Sequence, residues 1–355
     1  MHRELKGVHQ AALFLAVSAA GSVVLALVRD RLLASSFGAG PVLDLYFAAF
    51  RIPDIVYTIS LFFTASTALI PLFLDLQEQG ADEAQRFLDS VFTSFLLFTC
   101  ITASFAFFLI PVLIPIIVPG FSAAEQHTLV TFSRILLLSP LLLGLSNLVS
   151  SIIQSHRRFL VYALSPLFYN LGIIVGVVWF YRVMGVFGLA AGVILGALLH
   201  LLVQIPTLAK LRYIPRLTAV FSSSLMRRVV TLSFPRALGL SINQIVLLIM
   251  TALASAVGAG GIAVFHLAYN LQSVPLSVIG VSYSVAVFPT LARSFVRREQ
   301  TEFMNIVALA LRHILFWSLF ATVFFVVLRA HIVRVVLGAG AFGWLDTRLT
   351  AAAFG

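Results

Sequence analysis

One block of this chain is written twice, about 220 residues apart, and few folds accommodate that. The first copy reads Gly38–Ala39–Gly40, then Pro53, then ALIPLF through Pro71 to Phe73. The second reads Gly258–Ala259–Gly260, then Pro275, then AVFPTL around Pro289. A fourth pair follows in the same order: IVPGF ending at Phe121, and VLGAGAF ending at Phe342. The four offsets are 220, 222, 218 and 221 residues. Gly and Pro are common in membrane helices, so each fragment alone is weak. Four of them in one order at nearly one offset point to an internal duplication. Duplicated membrane halves are a common way to build transporters.

Composition places the duplication in a bilayer. Hydrophobic residues make up 61% and charged residues 10% of the chain, and mean hydropathy is +1.06. An ordinary soluble domain carries about 25% charged residues, so this chain is expected to be an all-α polytopic membrane protein. Nine spanning segments are predicted near 8–28, 42–74, 88–118, 128–153, 159–181, 185–209, 226–256, 262–291 and 303–337. The first is too long for a signal-peptide core and ends in Arg29–Asp30–Arg31, so it reads as an uncleaved helix. Several segments exceed the roughly 20 residues a span needs. Pro53, Pro71, Pro235, Pro275 and Pro289 offer kink points.

Arg and Lys placement sets the expected orientation. The N-terminus and the even-numbered connections carry 13 of them, including Arg157, Arg158, Lys210, Arg212 and Arg216; the opposite side carries six. That places the N-terminus in the cytoplasm. The net charge of +10 is thereby mostly loop charge, and no nucleic-acid partner is expected. Six segments precede the second copy, so the two copies run parallel, as two lobes (1–217 and 218–355) around a central cavity. The first copy uses six segments and the second has delivered three, plus the start of a fourth at Asp346–Gly355. By that ruler the second lobe is incomplete.

An ionisable group in hydrocarbon costs on the order of 3 kcal/mol, so it tends to face a cavity. Arg29 and Asp30 close the first segment, and Asp44, Arg51 and Asp54 fall in the second. Arg51 and Asp54 are three residues apart on one helix face. They read either as a self-neutralising ion pair or as a lumen-facing arginine oriented by a carboxylate. Asp44 follows GAGPVL and reads either as a helix cap or as a cavity charge. Arg236 follows Pro235, so it either binds carbonyls freed by the proline or reaches the cavity as an anion ligand. Arg134 and Arg312 are expected to snorkel to an interface. The intramembrane balance is cationic, and the planar arginine fork suits phosphate oxygens. There is no GxxxxGK[ST], no HExxH, no Cys/His cluster and no readable nucleophile–base pair, so no cofactor, metal or catalysis is expected. GxGxxG at Gly338, Gly340 and Gly343 follows a membrane helix and reads as a loop.

Two stretches carry a family resemblance: LVRDRLLASSFGAGPVLDLYFAAFRIPD (27–54) and ALIPLF (68–73). VPGFS, LSFPRALGLSINQ and GAFGWLDT add to it. The chain resembles the MurJ (MviN) lipid II flippases of the multidrug/oligosaccharidyl-lipid/polysaccharide (MOP) exporter superfamily. The resemblance implies a transporter moving an undecaprenyl-diphosphate-linked peptidoglycan precursor outward across the bacterial inner membrane. Arg29 and Asp44 match functionally important family positions. Other family cation positions are altered: they fall on Val23, Tyr57 and, in the eighth helix, Asn270, with the neighbouring Glu position on Ser273. The substrate-contacting set expected from the intramembrane charges and these departures together is Arg29, Arg51, Arg236 and Asn270, with Asp30, Asp44 and Asp54 gating or pairing charges. Two other readings stay open. One is an exporter of another lipid-linked polysaccharide. The other is a non-transporting membrane scaffold with cell-wall enzymes as partners.

Overall fold

A computed structural model describes residues 8–64, 66–156, 158–219, 223–296 and 299–355. Among them all regular structure is helical, as expected for a chain that must satisfy its backbone inside lipid. The elements are α1 (Val8–Phe37), α2 (Pro41–Ala49), α3 (Arg51–Thr64), α4 (Ser66–Gln79), α5 (Ala81–Ile117), α6 (Ala123–Leu136), α7 (Leu138–Ser155) and α8 (Phe159–Val175). Then come α9 (Tyr181–Met184), α10 (Val186–Leu202), α11 (Ile205–Leu211), α12 (Ser223–Val257), α13 (Gly261–Pro275), α14 (Ser282–Val296), α15 (Gln300–Leu337) and α16 (Trp344–Phe354). Eight stretches among the described residues are long and apolar enough to cross a membrane, from Pro41–Phe62 to Gln300–Leu337. They fall on the expected second to ninth segments, and α1 covers the first. This is a multi-pass membrane protein.

Several boundaries differ from the expected ones for local reasons. The first helix does not stop at the Arg29–Asp30–Arg31 triplet but runs on to Phe37 and ends at Gly38, where φ is 63°, a left-handed turn that glycine makes without strain. The second segment is broken at Phe50 between α2 and α3. Pro53 causes this, because it has no N–H for the Ala49 carbonyl and its ring crowds that carbonyl. The fourth segment starts early, at Ala123, because Ser122 and Glu125 form a reciprocal capping box there. Pro275 ends α13 and a π-helical turn, Leu276–Val281, follows. Such turns absorb the register change that a missing hydrogen bond forces. The expected start of a tenth segment is the helix α16, and Gly338–Gly343 is the loop before it.

The chain packs as two compact units. One runs to Leu32 and continues from Gly40 to Ile262; the other joins Leu33–Ala39 to Ala263–Gly355. In the first unit α8 and α10 meet backbone to backbone. Gly172 of α8 and Gly176, the first residue of the π-helical turn that continues it, face Gly196 and Gly192 of α10, where any Cβ would collide with the facing main chain. Small residues four apart on both helices are what let two membrane helices approach this closely. At one end of the same unit Phe73, Phe87, Leu88, Leu148, Ile152 and Leu208 form a buried core. Helix α12, although it opens the second copy of the repeat, belongs to this unit, with Phe234 stacked on Phe62 of α3 at 5.9 Å.

The repeated turns pack in the same way inside each unit. In the first, Gly120 sits against Ser255 at the end of α12, its N–H directed at Ser255 Oγ at 3.4 Å, and a side chain at 120 would collide with the Ser255 carbonyl. In the second, Ala341 N donates to the Ser35 carbonyl at 2.8 Å near the end of α1, and a side chain at Gly340 would collide with that carbonyl. Ser35 and Ser255 are 220 residues apart, the same offset as the repeat. A helix end from one copy is thus buttressed by a loop from the other copy, twice.

Candidate functional site

The charged residues singled out from the sequence concentrate in the first unit. Arg29, in the last third of the continuous helix α1, is mostly buried, with 19% of its side chain accessible. Its Nε and Nη2 donate to Asp30 Oδ1 at 2.9 and 2.7 Å, and its Nη1 donates to Asn170 Oδ1 of α8 at 2.9 Å. Asn170 Nδ2 in turn donates to the Pro166 carbonyl at 3.0 Å. The guanidinium plane is therefore held from two sides before any ligand arrives.

A second ionic pair stands on α3. Arg51 Nη2 lies 3.5 Å from Asp54 Oδ2, and the arginine side chain is 7% accessible against 36% for the carboxylate. The sequence left two readings of this pair. The geometry has the ion pair, with Asp54 as its more accessible member. Tyr46 of α2 and Tyr169 of α8 are each within electrostatic reach of both Arg29 and Asp54. One polar cluster thus spans α1, α2, α3 and α8 within apolar helices. Its margin carries a neutral pair: Asn147 Nδ2 of α7 donates to the Tyr57 hydroxyl at 2.6 Å.

Asp44 serves another place. The N-cap of its own helix is Gly40. One carboxylate oxygen, Oδ2, accepts the backbone N–H of Gly260, the residue before α13. A carboxylate at a helix N-terminus is stabilised by the partial positive charge of the unpaired N–H groups. The side chain of Arg236 lies outside the described residues; its backbone continues α12 past Pro235. Asn270 lies in the second unit, on α13, where its carbonyl accepts from Ser273 Oγ at 2.7 Å. His266, one turn earlier, is buried.

Arg134, expected to snorkel to an interface, donates its Nε to the Phe107 carbonyl at 3.1 Å, and its guanidinium carbon lies 4.2 Å from the Phe107 ring centre. A cation over a ring face gains from the ring quadrupole. Sequence reasoning missed Asn170, Tyr46, Tyr169 and Asn147. The signal was present for the two asparagines: each is a polar amide inside a predicted span, which asks for a partner as an intramembrane arginine does.

In this arrangement the cluster can present a pre-oriented arginine fork to an anion in a low-dielectric setting, where charge-assisted bonds are strong. Among the described residues no group of His, Cys, Asp and Glu is placed to hold a metal ion.

Comparison with known proteins places this geometry in a lineage. The family profile described as "Lipid II flippase MurJ" matches residues 33–355. A relative from Buchnera aphidicola subsp. Acyrthosiphon pisum, named "Probable lipid II flippase MurJ", is 30% identical over 335 residues, covering 93% of this chain and 66% of its own. The chain therefore spans just under two thirds of that relative's length. Among solved structures, "Lipid II flippase MurJ, inward closed conformation" superposes with a TM-score of 0.81 at 23% identity, covering 96% of this chain and 71% of that one. An inward-facing multidrug resistance MATE family transporter of the MOP superfamily matches with a TM-score of 0.72 at 16% identity, covering 94% and 76%. At these identities the two structures establish the shared fold.

Proposed function

The chain belongs to the MurJ lipid II flippase family, and we propose that it moves an undecaprenyl-diphosphate-linked peptidoglycan precursor from the cytoplasmic to the outer face of the bacterial inner membrane. The observation that carries this reading is Arg29. It is an arginine inside a membrane helix, bonded by Asp30 and Asn170 and ringed by Tyr46 and Tyr169. A guanidinium fork held by these partners inside a membrane protein, with 19% of its side chain still accessible, has the geometry that suits phosphate oxygens.

In this proposal the halves 1–217 and 218–355 act as two lobes that alternate access around a central cavity, with the N-terminus cytoplasmic. Arg29, Arg51, Arg236 and Asn270 contact the headgroup, and Asp30, Asp44 and Asp54 pair with charge as the lobes move. The membrane potential favours an anion leaving a negative interior by about 2.3 kcal/mol per charge per 100 mV. Two phosphate charges roughly double that. The protein is a transporter rather than an enzyme, and cell-wall synthesis enzymes are candidate neighbours in the membrane.

The test is growth of a strain depleted of its own lipid II flippase, combined with a lipid II accessibility assay at the outer face. Wild-type protein restores both; Arg29→Ala and the paired charge reversal Arg51→Glu/Arg236→Glu restore neither despite normal membrane levels. Full restoration by these variants overturns the site. Failure of the wild type to move lipid II overturns the substrate. A second reading, export of another lipid-linked glycan, draws on Tyr57, where a neutral bond to Asn147 occupies a position that is cationic in the relatives the sequence resembles.

A further inference from the structure

The stretch 213–218, which leads from α11 toward α12, has no regular secondary structure, yet it is tied down along α5. Gln85 Nε2 donates to the Ile214 carbonyl at 2.8 Å, Arg216 N donates to Asp89 Oδ1 at 2.8 Å, and Thr218 N donates to Thr93 Oγ1 at 3.0 Å. Each step is two residues on the strap and four on the helix. Four helical residues rise about 6 Å and two extended residues about 6.6 Å, so the registers match. At the head of the strap the Tyr213 hydroxyl accepts from Gln77 Nε2 at 3.1 Å.

The strap forms one wall of an apolar cavity of about 180 Å³ in the first unit. Ile214 and Pro215 face Phe92 of α5, Leu148 of α7, Leu201 of α10 and Leu208 of α11. An apolar cavity of about 150 Å³ stays dry and takes up hydrocarbon, because water finds no polar partners in it. Ile205 and Ile214 of the lining remain exposed, as do Leu202 and Leu217 beside them, an arrangement suited to contact with acyl chains rather than water. Three exposed cations crowd the same corner: Lys210, Arg212 and Arg216. Lys210 follows the lining residue Ala209, and Arg216 follows the lining residue Pro215. Arg212 ends α11 with φ at 62°, a left-handed position that ordinarily goes to glycine, so a charged side chain stands where the fold would prefer none. Asp89, a carboxylate that contacts the strap, has Oδ1 occupied by the Arg216 N–H and by Gln85 Nε2.

We infer that this corner is a binding site for an anionic phospholipid of the adjacent leaflet, one acyl chain entering the cavity behind the strap and the phosphate resting on Lys210, Arg212 and Arg216. The site shares no residue with the Arg29 cluster and stands whatever substrate the protein moves.

The test uses the protein in nanodiscs of phosphatidylcholine doped with phosphatidylglycerol bearing a photoactivatable acyl chain. Cross-links are expected in the peptide 205–216, several-fold above those from the same label on phosphatidylcholine. Ala209→Trp, which fills the cavity, lowers them to background. Replacement of the exposed Lys210, Arg212 and Arg216 by Gln, which spares the core, equalises the two lipids while residual labelling persists. Equal labelling by both lipids in the wild type overturns the inference, as does undiminished labelling in Ala209→Trp or a retained phosphatidylglycerol preference in the triple variant.

Discussion

The two copies of the repeated block share their mechanics and differ in their chemistry. Each has a helix end bearing an equivalent serine, Ser35 or Ser255, buttressed by a glycine-bearing loop from the other copy. The helix that follows the turn is another matter. In the first copy α2 and α3 carry Asp44, Arg51 and Asp54; in the second, α13 carries His266 and Asn270 and no full charge. A duplication preserves what every half needs in order to fold, namely close backbone approach at a turn. It does not preserve charges that one half alone uses. The lesson is that packing and chemistry were free to diverge because they lie at different places in the same motif.

Perturbing the ionic side of the comparison should have the largest effect. Asp30→Asn leaves the Arg29 guanidinium buried with its principal carboxylate gone, and breaking a buried pair from one side costs about 3–5 kcal/mol. Thermal unfolding in detergent should register it as a large drop in Tm, whereas Arg29→Met with Asp30→Leu together should lose much less. Equal loss in the single and double variants would mean that the pair is not the relevant unit. The mechanical side comes next. Gly340→Ala and Gly120→Ala each force a methyl group against a carbonyl, an overpacking cost of about 1–3 kcal/mol. Gly340 should be the more sensitive, because its φ of 53° adds backbone strain. A loss in both variants would sharpen the equivalence of the two buttresses, and an unaffected Gly120→Ala would break it.

Asp44→Asn should follow, at about 1.5–3 kcal/mol for a hydrogen bond to a charged group. The stability loss should come with faster hydrogen exchange of the Gly260 amide; unchanged exchange there would contradict the bond. Tyr57→Phe should be smallest, at about 1 kcal/mol for a neutral hydrogen bond, because the ring keeps its packing. A larger loss would mean that Tyr57 carries more of the cluster than its bond to Asn147.

Much of the architecture was legible in advance because its causes are local. Runs of 20 or more apolar residues have one stable form in lipid, so the spans could be located, although several of their ends could not. The breaks were legible where a proline made them, as at Pro53. They were misjudged where charge was taken for a stop signal. Arg29–Asp30–Arg31 looked like a helix end but lies inside α1, because Asp30 and Asn170 satisfy Arg29 and the helix has no need to stop. The site was legible as a set of residue types and not as a set of partners. Arg51 with Asp54 follows from three-residue spacing on a helix, whereas Arg29 with Asn170 joins residues 141 positions apart and no spacing announces it.

The sequence by itself determined that this chain is a duplicated, all-helical membrane protein with arginines inside its spans. Hydrophobicity, proline and glycine act on their nearest neighbours, and such effects can be read along a line. Only the tertiary structure decided which charges are neutralised, that Asp44 accepts the Gly260 N–H, and that the 213–218 strap forms one wall of an apolar cavity beside three cations. Those outcomes depend on which helices touch. That is set by the summed packing of many side chains, and no single stretch of sequence contains it.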